Sequence, residues 1–206
     1  MARTFYEIGF TPSVLAAQER EGSRAAYAGQ LAPEADPRDR LGPEEAAFIA
    51  ARDGCYQASV SETGWPYVQF RGGPKGFIRA LDERTVGYAD YRGNRQFLSL
   101  GNLTADGRVS LFFMDYPNRA RLKLFGRARI VDRVEDPALV ARLHAGGKGK
   151  PERAVLIDVA GFDWNCPQHI PQRFTAEELQ PVLGEMQARI ARLEAENAAL
   201  KGEAAQ

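Results

Sequence analysis

A chain of 206 residues, 44% of them hydrophobic, is long and apolar enough to bury one substantial core, so disorder is not its default state. Lysine plus arginine number 27 and aspartate plus glutamate number 27, so no net field draws the chain to nucleic acid or to an anionic membrane, and any anionic ligand has to be held by a local cluster. The longest apolar runs fall far short of the roughly 20 residues of a membrane helix and the first ten residues lack the apolar stretch of a secretory signal, so the expected location is the cytoplasm.

The first segment, residues 1–42, reads as helical and connecting material: Ser13 is placed to cap a helix to about Gly29, and 32–40 is a Pro- and Asp-rich joint. Pro43 opens a second helix that ends near Asp53-Gly54. From Cys55 the period changes. Tyr56, Ala58 and Val60 alternate with Gln57, Ser59 and Ser61, and Glu62-Thr63-Gly64 turns the chain into 65–70, a hairpin. Residues 77–81, 85–89, 109–115, 121–132 and 154–159 follow as further strands, while 94–103 and 137–144 read as short helices. The expected architecture for 43–174 is mainly β, an antiparallel barrel with peripheral helices. Cys55 and Cys166 have no CxxC or Cys/His ligand spacing, so reduced structural thiols are expected and no metal site.

Residues 175–206 form a third segment. Thr175 and Glu178 make a capping box, Pro181 is expected to kink the early helix, and Leu183, Met186, Ile190, Leu193, Asn197 and Leu200 step by three and four. With Leu183, Ile190 and Asn197 at a and the others at d, one asparagine interrupts an apolar seam, the device that favours a parallel two-stranded pair. Arg189 at g faces Glu194 at e of a partner helix, and Glu196 faces Lys201. The alternative is a single amphipathic helix folded back on its own barrel.

Chemistry concentrates in two places. Arg71-Gly72-Gly73-Pro74-Lys75-Gly76 ends a strand, where glycines let a backbone approach a ligand and two cations flank it; the other reading is a solvated turn. In Tyr88-Ala89-Asp90-Tyr91-Arg92-Gly93-Asn94-Arg95-Gln96 a strand runs into a turn and then a helix start, whose free N–H groups together with Arg95 suit a phosphomonoester. Arg95 at a positive helix end is unfavourable without an anion; a phosphate would cure the misfit, and screening by solvent is the other way it is made harmless. His144 reads as a helix C-terminal residue favoured by the dipole. No Ser/His/Asp set, paired carboxylates or GxGxxG after a strand is present, which removes hydrolase and Rossmann readings.

The strand ending at Arg71 with Lys75 nearby, the 88–96 segment, and two long strands around Gly126 resemble the pyridoxamine 5′-phosphate oxidase-like split-barrel family over roughly residues 43–173. The resemblance implies a homodimer with FMN between two barrels, its ring contacted by both chains. It places Arg71 and Lys75 at the phosphate or ribityl chain and Arg92, Asn94, Arg95 and Gln96 around the phosphate, with Gly72, Gly73, Pro74, Tyr88, Ala89, Asp90 and Gly93 among the cofactor-binding residues of the same two segments. Residues 165–173 resemble the C-terminal flavin-contacting segment of a bacterial subgroup, so Gln168 and His169 are candidates for the ring or a substrate, and Arg173 for the phosphate or substrate. A backbone-satisfied loop histidine is the other reading of His169. The Trp and Arg arrangement with which the oxidase itself holds pyridoxal phosphate is missing. The implied activity is hydride or electron transfer between a donor such as NAD(P)H and a small organic substrate; the alternative is a non-catalytic flavin- or haem-binding carrier or sensor.

Overall fold

The computed structural model describes residues 4–146, 149–164 and 166–203. The single helix expected between Ser13 and Gly29 is divided. Thr4 caps α1 (Phe5–Gly9) in a reciprocal box with Glu7, and Thr11, not Ser13, caps α2 (Pro12–Arg20), its hydroxyl accepting the Val14 N–H at 3.4 Å. Thr11-Pro12 is the stronger start, because proline at the first helical position also holds the residue before it extended. Gly22, at φ +73, ends that run before α3 (Arg24–Tyr27) and a 3₁₀ turn at Ala28–Leu31. Helix α4 (Pro43–Ala50) follows, and its Glu45 carboxylate accepts from the Gly42 N–H at 2.9 Å and from the Trp164 indole N–H at 2.7 Å, tying helix start to barrel.

Seven strands then form one antiparallel sheet: β1 (Gly54–Val60), β2 (Pro66–Gly72), β3 (Ile78–Ala80), β4 (Thr85–Tyr91), β5 (Arg108–Asp115), β6 (Ala120–Asp132) and β7 (Pro151–Trp164). Their spatial order is β2-β1-β5-β6-β7-β4-β3. The sheet curls without β2 and β3 pairing, which makes it a split barrel, and a register shift at Phe125/Gly126 helps the long β6 and β7 bend. Inward residues such as Leu111, Phe113, Leu122, Leu124, Val86 and Ile157 fill its interior, with Ile49 of α4 closing one end. Helix α5 (Leu98–Ala105) and α6 (Pro137–Leu143) lie at the periphery, α6 burying Val140 and Leu143 against a second cluster with Ala89 and Leu156. His144 caps α6 and meets the Tyr91 hydroxyl through Nδ1 at 3.0 Å, so it is a structural hydrogen-bond partner.

The N-terminal segment is latched to the outside of β7. Phe5 stacks on Phe125 with ring centroids 4.8 Å apart, and Asp163 accepts from both the Tyr6 hydroxyl (2.8 Å) and Arg38 (2.7 Å). Burial and the neighbouring Asp163 push the Tyr6 phenol up to about 12.

The last helix, α7 (Ala176–Glu203), starts at the expected box: Glu178 accepts from the Thr175 N–H and its own N–H donates to the Thr175 hydroxyl. It runs through Pro181 as one continuous element. From 176 to 201 every residue is exposed, so the helix does not fold back on its own barrel. Among the described residues no helix is long and apolar enough to cross a membrane.

Candidate binding site at the split of the barrel

Where the backbone ladder stops, side chains bridge the gap. The Tyr88 hydroxyl of β4 donates to Gln57 of β1 at 2.6 Å, Arg71 of β2 pairs with Asp90 of β4 at 3.2 Å, Ser99 of α5 donates to Gln69 of β2 at 2.7 Å, and Asn102 donates to Ser59 at 3.1 Å. Gln57, Ser59 and Ser99 are buried, and each is paired through one of these bonds, as buried polar groups require. Burial also raises the Tyr88 phenol well above its ordinary value.

Beside this bridge lies a cleft of about 100 Å³ between β2, β4, the loop before α5 and the start of β7. Three guanidiniums line it: Arg71, Arg95 and Arg153. Asp90 holds two of them, Arg71 at 3.2 Å and Arg153 at 3.5 Å, and Glu152 reaches Arg153 at 3.3 Å. Arg95 makes no ion pair among the described residues. The Arg71 Nε is buried and has no hydrogen-bond partner, an orphaned donor of the kind an anion satisfies. Phe97 stands between Arg95 and Arg153, each guanidinium carbon 5.7 Å from its ring centroid.

The loop that carries Arg95 is strained. Arg95 (φ 64) and Phe97 (φ 57) both occupy the left-handed region, at a cost of about 1–2 kcal/mol each, and such outliers gather at ligand sites. The helix expected from Asn94 therefore begins at Leu98, so Arg95 is not in a first helical turn and the site is backed by a loop. Asn94 explains the shift, because its side chain accepts the Gln96 N–H at 3.2 Å and offers the backbone a turn in place of a helix.

Of the expected site residues, the fold brings Arg71, Asp90, Gly93, Asn94, Arg95 and Gln96 to this one cleft. Arg92 lies alongside, in a shallower hollow with Arg133 and Lys150 that also touches Arg153. Tyr88 and Ala89 are core side chains. Gly72 and Gly73 make room for the chain's own rings: a Cβ would meet Phe70 at 2.7 Å and Phe77 at 2.6 Å, respectively. Pro74 turns the chain by accepting the Phe77 N–H, and Lys75 points away to Glu177 of α7 at 3.8 Å. None of Gly72 to Lys75 lines the cleft.

Arg173 sits elsewhere, against the turn after β5, and neither Gln168 nor His169 lines the cleft. Arg173 lies 5.0 Å over the Tyr116 ring, and the next residue back, Gln172, donates to the Pro117 carbonyl at 2.8 Å. The Tyr116 phenol is raised by desolvation and by its hydrogen bond with Tyr56. His169 is exposed, at φ 64. One chain therefore presents two separate polar clusters. Asn165 lies outside the described residues.

Arg153, Glu152 and Phe97 escaped the sequence reading. Arg153 reaches the site because β4 and β7 pair with Asp90 opposite Arg153, a register that nothing near residue 153 announces. The charged run Lys150-Pro151-Glu152-Arg153 marks a polar strand start but does not give that register.

No curated protein sequence matches the chain. Among solved structures, HupZ of Group A Streptococcus is 17% identical, with a TM-score of 0.51 over 65% of this chain and 99% of that one. A protein related to general stress protein 26 from Clostridium acetobutylicum is 16% identical, with a TM-score of 0.45 over 66% and 94% of the two chains. An FMN-binding protein from Syntrophomonas wolfei is 9% identical, with a TM-score of 0.47 over 74% and 97%. The first of these likenesses supports the split-barrel fold. The pyridoxamine 5′-phosphate oxidase family model matches residues 41–160, more than half of the chain and all the strands except the end of β7, and the chain belongs to that family.

Proposed function

We propose that this chain is an FMN-dependent oxidoreductase that works as a homodimer and moves hydride or electrons between a reduced nicotinamide and a small organic substrate. The observation that carries the reading is the arginine-lined cleft at the split. Arg71, Arg95 and Arg153 against Asp90 and Glu152 leave one net positive charge, an orphaned Arg71 Nε and a loop held in strain, a donor set that fits a phosphate dianion. A cleft of about 100 Å³ is well below the roughly 300–1,000 Å³ that encloses a drug-sized ligand. It takes the phosphate end, and the ring has to lie outside it. A second copy is the proposed cover, offering its own 168–173 segment, since one chain keeps that segment away from the cleft.

The bound flavin would supply the redox chemistry. The protein's part is to anchor the phosphate through Arg71 and Arg95, to fix Arg153 through Asp90, and to exclude water from the ring by dimer contact. Cys55 and Cys166 are both free, which suits the proposed cytoplasmic location.

One observation favours a second reading, a flavin- or haem-binding carrier or sensor. Asp90 and Glu152, the carboxylates of the cleft, are both ion-paired, which leaves no free acid or base there. The spectrum of the purified protein, and its response to NADH and NADPH without oxygen, separates the readings. A flavin spectrum that bleaches and returns with air supports the enzyme. A flavin or haem spectrum unchanged by either nicotinamide supports the carrier, and a colourless protein that takes up no added FMN contradicts the flavin assignment.

A further inference from the structure

Helix α7 lies outside the family match, which ends at residue 160, and its 28 residues project from the barrel. Its tie to the barrel among the described residues is at the first turn, where Lys75 meets Glu177. Beyond that turn an apolar stripe is left in water: Leu179, Leu183, Met186, Ile190, Leu193 and Leu200 are between 39% and 64% exposed. A helix this long with no surface to bury its stripe is not at rest alone, because helices in water owe most of their stability to packing of an amphipathic face.

We infer that α7 is one half of a parallel, in-register two-stranded coiled coil with α7 of a second copy of this chain. The occupant follows from the pattern. Leu183, Ile190 and Asn197 fall at a, and Leu179, Met186, Leu193 and Leu200 fall at d, over the whole exposed length. In parallel register Asn197 meets its own copy, whereas an antiparallel pairing sets its amide against an apolar d residue. In the lone chain the Asn197 amide donates to the Leu193 carbonyl at 3.0 Å, a local bond that occupies it until an identical amide arrives. The flanks agree: Arg189 faces Glu194 across the seam and Glu196 faces Lys201, each pair occurring twice by symmetry. Arg192 and Glu196, 3.9 Å apart on one helix, add support along the helix itself. The two-fold axis of such a seam can coincide with that of a barrel dimer, so α7 would lock the pairing that the cleft also requires.

Cysteine cross-linking on the full chain tests this apart from flavin binding. In a Cys166→Ser background, with Cys55 buried, Leu193→Cys at d and Glu185→Cys at c are compared under mild oxidation. The expected result is conversion of the Leu193→Cys monomer band to a disulfide-linked dimer while Glu185→Cys stays monomeric on the gel. Equal linking of both, or of neither, overturns the seam. Linking of Leu193→Cys to Ile190→Cys in a mixture, with none of Leu193→Cys to itself, overturns the parallel register. A second variant covers the asparagine: Asn197→Leu should raise the thermal midpoint or shift sedimentation to a higher oligomer, and no change in either removes Asn197 from an interface. FMN uptake, measured on the same samples, reports separately on the cleft.

Discussion

Cys55 sits on β1 at 1% exposure, and burial pushes its thiol up to about 12 against the opposite pull of Arg71. The fold thus keeps a proton that the unfolded chain gives up from about pH 9, and Tyr88 behaves likewise at higher pH. For groups raised in this way the stabilisation is complete below the unfolded value and is lost as pH rises towards the folded one. Urea unfolding between pH 8 and 11 should therefore show stability falling from about pH 9 upward. In Cys55→Ala the first part of that decline should flatten, even though the substitution lowers stability at every pH. An unchanged slope would mean that the thiol is not held neutral. Exposed Cys166 should react with an alkylating reagent at once, and Cys55 only on unfolding.

Among the elements, the attachment of α1 rests on a missing side chain. A Cβ at Gly161 would lie 2.6 Å from the Phe5 N and 2.8 Å from its Cα, so Gly161→Ala has to push α1 off β7. Overpacking of this kind costs about 1–3 kcal/mol. The expected outcome is early protease cleavage within the first 40 residues, with the barrel retained; cleavage kinetics equal to wild type would place α1 elsewhere. Most of the strand plan could be read from the chain, because alternation over Tyr56–Val60 or 121–132 is a local property and the Gly, Asn and Asp breaks are local too. What escaped was set by competition or by distance. Residues 94–97 carry a helix-like pattern, but the Asn94 turn displaces the helix start, and Thr11-Pro12 outcompetes Ser13 as a cap. Lys75 looked like a site cation by nearness to Arg71 in sequence, but β2 ends between them and the two diverge. Arg153 was hidden because its place depends on the pairing of strands some sixty residues apart.

At the scale of the whole molecule, a small cleft and an uncovered surface point to the same need. The outer face of β1 and β2 carries Tyr56, Val68 and Phe70, exposed at 42%, 58% and 59%, in a continuous apolar patch. Val68→Glu puts a charge on that face without touching the core. If a second barrel covers it, the variant should sediment as a weaker dimer and lose FMN in proportion; unchanged sedimentation would place the dimer contact on another face. The central claim, that the cleft holds the FMN phosphate, is tested most directly by titrating FMN and riboflavin into apo wild type and Arg95→Ala and following ring fluorescence. A charge-assisted bond to the phosphate contributes about 1.5–3 kcal/mol, so Arg95→Ala should weaken FMN by roughly ten- to a hundredfold. Riboflavin has no phosphate, so it should bind wild type weakly and the variant equally weakly. An equal loss for both flavins, or no loss for either, would contradict the assignment.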